Sequence, residues 1–109
     1  MSVQEKLELL VNRMNKEPEG IDELQASFTF NITDQEGLNS SVIVDGQSVE
    51  LTNSVLDNPN CQLTMNEKNF EKLLDGELNT TSAFMMGKLK VKGDLTYALK
   101  LQNVLKSYL

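Results

Sequence analysis

Residues 83–106 read AFMMGKLKVKGDLTYALKLQNVLK, and the middle of that run restricts the fold more than any other stretch. Lys88, Lys90 and Lys92 alternate with Leu89 and Val91. A period of two is that of an extended strand with one apolar face and one charged face. Gly87 separates this strand from a Met-rich apolar segment, and Gly93 ends it where the Asp94 side chain can cap a following helix. A one-sided strand between an apolar segment and an amphipathic helix can wall a pocket. None of these residues is a catalytic group.

Upstream, Val3, Leu7, Leu10, Val11 and Met14 share one face at helical spacing, which predicts an N-terminal helix stopped by Lys16 or Glu17 ahead of Pro18 and Gly20. Its apolar stripe reads as core. From Leu24 the period becomes two: Phe28, Phe30 and Ile32 alternate with Ser27, Thr29 and Asn31, and Asp34–Gly37 reads as a turn. Leu38–Val44 gives a second strand. Asp45-Gly46, as the central pair of a two-residue hairpin, leads to a third over Ser48–Thr52, completing a meander. Asn53–Asn60 reads as a loop or short turn.

Cys61, Leu63 and Met65 alternate with Gln62 and Thr64 as a fourth strand, and Asn66 caps a helix carrying Phe70, Leu73 and Leu74 on one side. Gly76 closes that helix in the left-handed position. Asn79, Thr80 and Thr81 offer caps to a short segment over Ser82–Met86. Asp94 opens a last helix to about Ser107 whose broad face holds Leu95, Ala98, Leu99, Leu101, Gln102 and Leu105. The class is α+β: one five-stranded sheet with four to five helices packed on one face.

The 109 residues suit a single domain over 1–109, too short for a cofactor domain beside a substrate domain. No run of 18 or more apolar residues could cross a bilayer, and the acidic, amphipathic start lacks the form of a secretion signal, so a cytoplasmic protein is expected. Cys61 is alone and cannot form an internal disulfide; a strand-like setting makes it a buried, inert thiol. The net charge of −6 opposes nucleic acid. That charge is unevenly spread: residues 1–87 hold 5 basic and 15 acidic side chains, whereas residues 88–109 hold 5 basic and 1 acidic. The basic C-terminal fifth is a solvated strand face on one reading. On another it attracts an anionic headgroup or an acidic membrane in transient contact.

The chain has no histidine, which removes the commonest acid–base group, the His-dependent nucleophile pairs and His-containing zinc sites. No glycine-rich phosphate loop occurs. The pairs Glu17/Glu19 and Asp34/Glu36 fall in loops, and Asp57-Asn58-Pro59-Asn60 lacks the ligand pattern of a calcium loop. No enzyme activity, cofactor or metal is expected. Phe84, Met85 and Met86 are suited either to a core or to a permissive pocket, because Met reshapes around ligands of different length. Composition alone favours core.

The order AFMMGKLKVKGDLTYALKLQNVLK, preceded by LTMNEKNFEKLLDGELNTTSAF, resembles the sterol carrier protein type 2 domain, over about Phe28–Leu105 and most strongly from Leu63 onward. The resemblance implies a lipid-binding domain enclosing an apolar tunnel, in a family that carries fatty acids, fatty acyl-CoA and sterols. It turns the Met-rich segment into pocket lining. The candidate lipid-binding residues are Phe70, Leu74, Phe84, Met85, Met86, Leu89, Leu101, Gln102 and Leu105; on its largely apolar helix the Gln102 amide is suited equally to orienting a lipid carboxyl or hydroxyl, to a buried structural hydrogen bond, or to simple exposure. The cavity is expected between the sheet, the Phe70–Asp75 helix and the last helix. The alternative is a non-catalytic interaction or dimerisation module of the same fold; a monomer or weak homodimer fits either. The final Ser107-Tyr108-Leu109 departs from the family's peroxisomal ending, which has a basic residue where Tyr108 stands.

Overall fold

The computed structural model describes residues 2–21, 24–35 and 39–108. Helix α1 (Val3–Lys16) is capped by Ser2, whose side chain accepts the Glu5 N–H at 3.1 Å. Its buried residues, Val3, Leu7, Val11 and Met14, recur every three or four positions, so one face is committed to packing. After a 3-10 turn over Pro18–Ile21 come β1 (Gln25–Ile32), β2 (Asn39–Asp45) and β3 (Val49–Thr52), an antiparallel meander. Strand β4 (Cys61–Met65) joins the far side of β1 in parallel, and β5 (Lys90–Gly93) pairs antiparallel with β4. The sheet order is β3-β2-β1-β4-β5. Helices α2 (Glu67–Leu74) and α3 (Thr80–Met85) lie between β4 and β5, and α4 (Leu95–Lys106) follows.

Register sorts the strand side chains into two faces. Phe28 is opposite Val42 and Cys61, and Phe30 is opposite Leu63, which in turn faces Val91, so the apolar residues of four strands share one surface. Phe70 of α2 packs on that surface with its ring 5.1 Å from the Phe30 ring. Helices α1 and α4 lie on the same side.

The other face is polar, yet part of it is sealed. Thr29 and Ser41 both have zero exposure, because the 53–60 segment crosses over them between β3 and β4. Thr29 Oγ1 lies 2.8 Å from Ser41 Oγ, which donates to the Ser54 carbonyl at 2.6 Å. Period two groups Thr29 with Ser27 and Asn31, and 53–60 reads as a loop or short turn. A crossover covering the sheet has no local sequence signal, so the burial of these hydroxyls was invisible.

Three boundaries also shift. The hairpin turns on Gly46-Gln47, with Gly46 at φ 87° and the Asp45 N–H donating to the Ser48 carbonyl. Asp45 is not a central residue; its carboxylate accepts the Gln47 and Ser48 N–H groups, which holds its pKa below the usual carboxylate range. A Gly at the first central position is the type II′ arrangement. Helix α3 starts at Thr80, not Ser82, because Asn79 is the cap that binds, accepting the Ser82 N–H at 2.9 Å. Strand β5 pairs only from Lys90, although the alternation begins earlier: Leu89 is buried and Lys88 exposed. Gly37 and Leu38, expected at a turn and a strand start, lie outside the described residues.

Candidate functional site

The interior between the sheet and the helices contains a small closed cavity of about 20 Å³. Its roof is the stripe of α1, namely Leu7, Leu10, Val11 and Met14. The sheet contributes Phe30, Val42, Val44 and Val49, and α4 contributes Leu101, Val104 and Leu105. Ile21, Leu24 and Leu74 complete a lining without a single polar side chain. The space holds about one water-sized sphere, whereas pockets for drug-sized ligands run to roughly 300–1,000 Å³. A larger occupant requires α1 or α4 to move off the sheet.

An open groove of about 420 Å³ lies outside it, bounded by Glu19, Gly20 and Leu24 on one side and by Lys100, Asn103, Val104 and Ser107 on the other. Leu24 and Val104 line both the groove and the cavity, and so border both solvent and the interior. Lys100 stands at the rim with its ammonium 5.5 Å from the centre of the Tyr97 ring, and Glu19 is the acidic residue of the opposite bank.

The nine residues singled out from sequence divide into three groups. Leu74, Leu101 and Leu105 come together in the cavity lining. Phe70 and Leu89 are buried at 2% exposure each but belong to the packed core beside it. Gln102 is half-buried, and its Oε1 accepts the Thr80 backbone N–H at 2.6 Å, so the amide oxygen caps α3. Phe84, Met85 and Met86 are turned outward, with 40%, 78% and 66% of their surface exposed. The reason is length: α3 has six residues, its buried positions are Thr80 and Ala83, and Gly87 at φ 77° ends it. No room remains for the last three side chains to reach inward.

Sequence reading assigned the α1 stripe to core and gave Val104 no role. Periodicity identifies a buried face, but it cannot separate residues that touch one another from residues that border a gap. Beside the groove, Tyr108 is buried at 6% exposure against Gly20, and its hydroxyl donates to the Glu17 carbonyl. Arg13 donates to the Tyr108 carbonyl and lies 5.6 Å from the centre of its ring. Burial raises the phenol's pKa above its ordinary value.

Cys61 has zero exposure, and desolvation, reinforced by the Asp94 charge, pushes its thiol up to about 11. Among the described residues no three His, Cys, Asp or Glu side chains gather as a metal site. No described helix is long and apolar enough to cross a membrane.

A five-stranded mixed sheet carrying its helices on one face and enclosing an all-apolar space defines a class of fold built around a greasy interior. Residues 7–106 match the model of the SCP-2 sterol transfer family, and the chain belongs to that family. It is 29% identical over 100 residues to the fatty acid-binding protein of Yarrowia lipolytica, covering 88% of this chain and 78% of that protein. It is 37% identical over 82 residues to human sterol carrier protein 2, covering 71% of this chain but only 15% of that longer protein. The solved apo form of sterol carrier protein 2 from Yarrowia lipolytica superposes with a TM-score of 0.63 at 29% identity, over 89% of this chain and 81% of the other. Palmitated SCP2L2 from Aedes aegypti shares the fold with a TM-score of 0.72 at 24% identity, over 96% and 95%. Family and relatives together support a role in lipid binding or transfer.

Proposed function

We propose that this chain holds a single-chain lipid, of the fatty acid or fatty acyl-CoA class, between the sheet and helices α1 and α4, with its polar end in the groove beside Lys100. The observation that carries this reading is that Leu24 and Val104 border both an entirely apolar interior and an open groove. Leu, Val and Met linings can part around a flexible chain one methylene at a time. A rigid ring system needs the whole space at once, so the small closed volume favours acyl chains over sterols.

The energetics are sufficient. About 14 methylenes at roughly 0.8 kcal/mol each supply about 11 kcal/mol gross. Association costs several kcal/mol, and parting the helices costs more, which leaves affinity near the micromolar range. A carrier that must release its cargo works in that range.

The experiment is native mass spectrometry of protein purified without denaturant, followed by titration with saturated fatty acids of increasing length. One lipid per chain, bound more tightly with each added methylene up to a limiting length, is the expected result. Absence of any complex, or affinity indifferent to chain length, removes the proposal.

A further inference from the structure

We propose that the tip of α3 is a docking wedge for an anionic bilayer surface. The inference extends the lipid-carrier reading by naming the face that meets the membrane. Phe84, Met85 and Met86 form a contiguous exposed apolar trio, whereas Leu9, Ile43 and Val55, the other large exposed apolar residues among those described, lie singly on α1, β2 and the 53–60 crossover. Isolated apolar side chains are ordinary on a protein surface; a cluster is not. The space beside the trio is open as well: a Cβ built on the adjoining Gly87 would meet nothing within 4 Å.

The tip is preformed rather than loose. The Met86 N–H donates to the Ser82 carbonyl at 2.9 Å, and the Lys88 and Leu89 N–H groups both donate to the Ala83 carbonyl, at 2.9 and 3.1 Å. Immediately after it, Lys88, Lys90 and Lys92 are all exposed. Lys90 and Lys92 share one face of β5, about 7 Å apart at roughly 3.3 Å per residue. Asp94 is the sole acid between residues 84 and 108, and its carboxylate is engaged with the Thr96 N–H at 2.8 Å.

Charge decides which partner fits. Residues 1–87 carry 15 acidic and 5 basic side chains, so an anionic surface repels most of this molecule and accepts it by its lysine-bearing end. A second copy is disfavoured because a two-fold contact sets the same patch against itself, lysines against lysines. Three side chains at a helix end also fall far short of the roughly 1,000 Å² that a specific protein interface requires. At a bilayer the same geometry works: the trio enters the headgroup layer while the lysines lay their stems alongside and keep their ammonium groups among phosphates.

The chain contains no tryptophan, so Met85→Trp creates a single fluorescent reporter at the most exposed of the three positions. Phosphatidylcholine vesicles with and without 30% phosphatidylserine, at about 0.1 M salt, are the test surfaces, and Leu9→Trp on α1 is the control site. Blue-shifted emission from Met85→Trp with the anionic vesicles only, quenched by brominated acyl chains, is expected, with no change from Leu9→Trp. Replacing Lys88, Lys90 and Lys92 together by Gln should weaken vesicle binding at least tenfold, since each lysine near such a surface is worth on the order of fivefold. Equal shifts at both sites, a shift at Leu9→Trp alone, or no vesicle binding overturns the proposal. So does a dimer by sedimentation whose formation buries Met85. Fatty-acid titration of the same variants keeps the two readings apart, because loss of cargo binding with docking intact counts against the cavity alone, and the converse against the wedge alone.

Discussion

Asn15 and Val49 exchange two hydrogen bonds: the Asn15 Nδ2 donates to the Val49 carbonyl at 3.0 Å, and the Val49 N–H donates to the Asn15 Oδ1 at 2.7 Å. Val49 opens the edge strand β3, and these are backbone groups that β2 does not take up. One carboxamide therefore protects a sheet edge and ties the last turn of α1 down over the apolar cavity.

Asn15→Ala leaves both backbone groups of a half-enclosed edge without that partner, and should cost about 1–3 kcal/mol. At roughly 4–8 °C per kcal/mol, the loss is readable as a lower melting temperature. Hydrogen exchange should rise in α1 more than in β1 or β4, and fatty acids should associate faster as the roof loosens. Unchanged α1 protection would show that the clamp does not restrain the helix.

Gly20 and Tyr108 are fitted to each other. A Cβ at Gly20 would lie 2.5 Å from Tyr108 Cε2, closer than any real contact. Gly20→Ala should therefore destabilise by about 1–3 kcal/mol through overpacking. Tyr108→Leu alone also costs stability, since it removes the hydroxyl bond to Glu17 and the ring beneath Arg13. The double variant should be less damaged than the sum of the two, with a coupling of about 0.5–3 kcal/mol by urea unfolding. Strict additivity would mean that the chain end is not packed on Gly20 in solution.

The architecture was legible because its strands and helices announce themselves in different periods. Phe28, Phe30 and Ile32 against Ser27, Thr29 and Asn31 fixed which face of β1 meets the helices, and Asn66, Asp94 and Gly76 marked helix ends through local hydrogen bonds and φ. The site was legible only in part. Leu74, Leu101 and Leu105 were found because they are buried, and burial is what periodicity reports. Met85 and Met86 lie exposed at the end of α3, and an apolar run carries no record of how short its helix is. For Gln102 a structural hydrogen bond was one of the open readings, but its partner, the Thr80 N–H, is 22 residues away, beyond any local pattern.

Cys61 gives the fold a pH dependence in the alkaline range. Burial raises the native thiol from an ordinary value of 9.0 to about 11, so the unfolded chain gives up its proton first. The stability this group contributes is whole below pH 9 and lost as pH climbs toward 11, about 2–3 kcal/mol in all. Urea unfolding at pH 8 and pH 10.5 should show that loss, and Cys61→Ala should abolish this part of the slope. A thiol reagent at pH 8 should label the native protein only as fast as it unfolds; rapid labelling would contradict the burial.

Val104 tests whether the groove is the mouth of the interior. It is half-buried and borders both spaces, so Val104→Trp can direct its added bulk into the groove and should cost less than the roughly 1–3 kcal/mol of an overfilled core. If acyl chains pass between Leu24 and Val104, fatty-acid association should slow severalfold or cease while the melting temperature changes by only a few degrees. Lys100→Gln separates the headgroup from the chain: it should weaken a fatty acid and leave the matching alcohol unchanged, by a factor that shrinks as salt screens the exposed ammonium. A Val104→Trp protein that keeps its fold and takes up fatty acid at the parental rate would place the path elsewhere. The next region to open would then be the α1 edge held by Asn15.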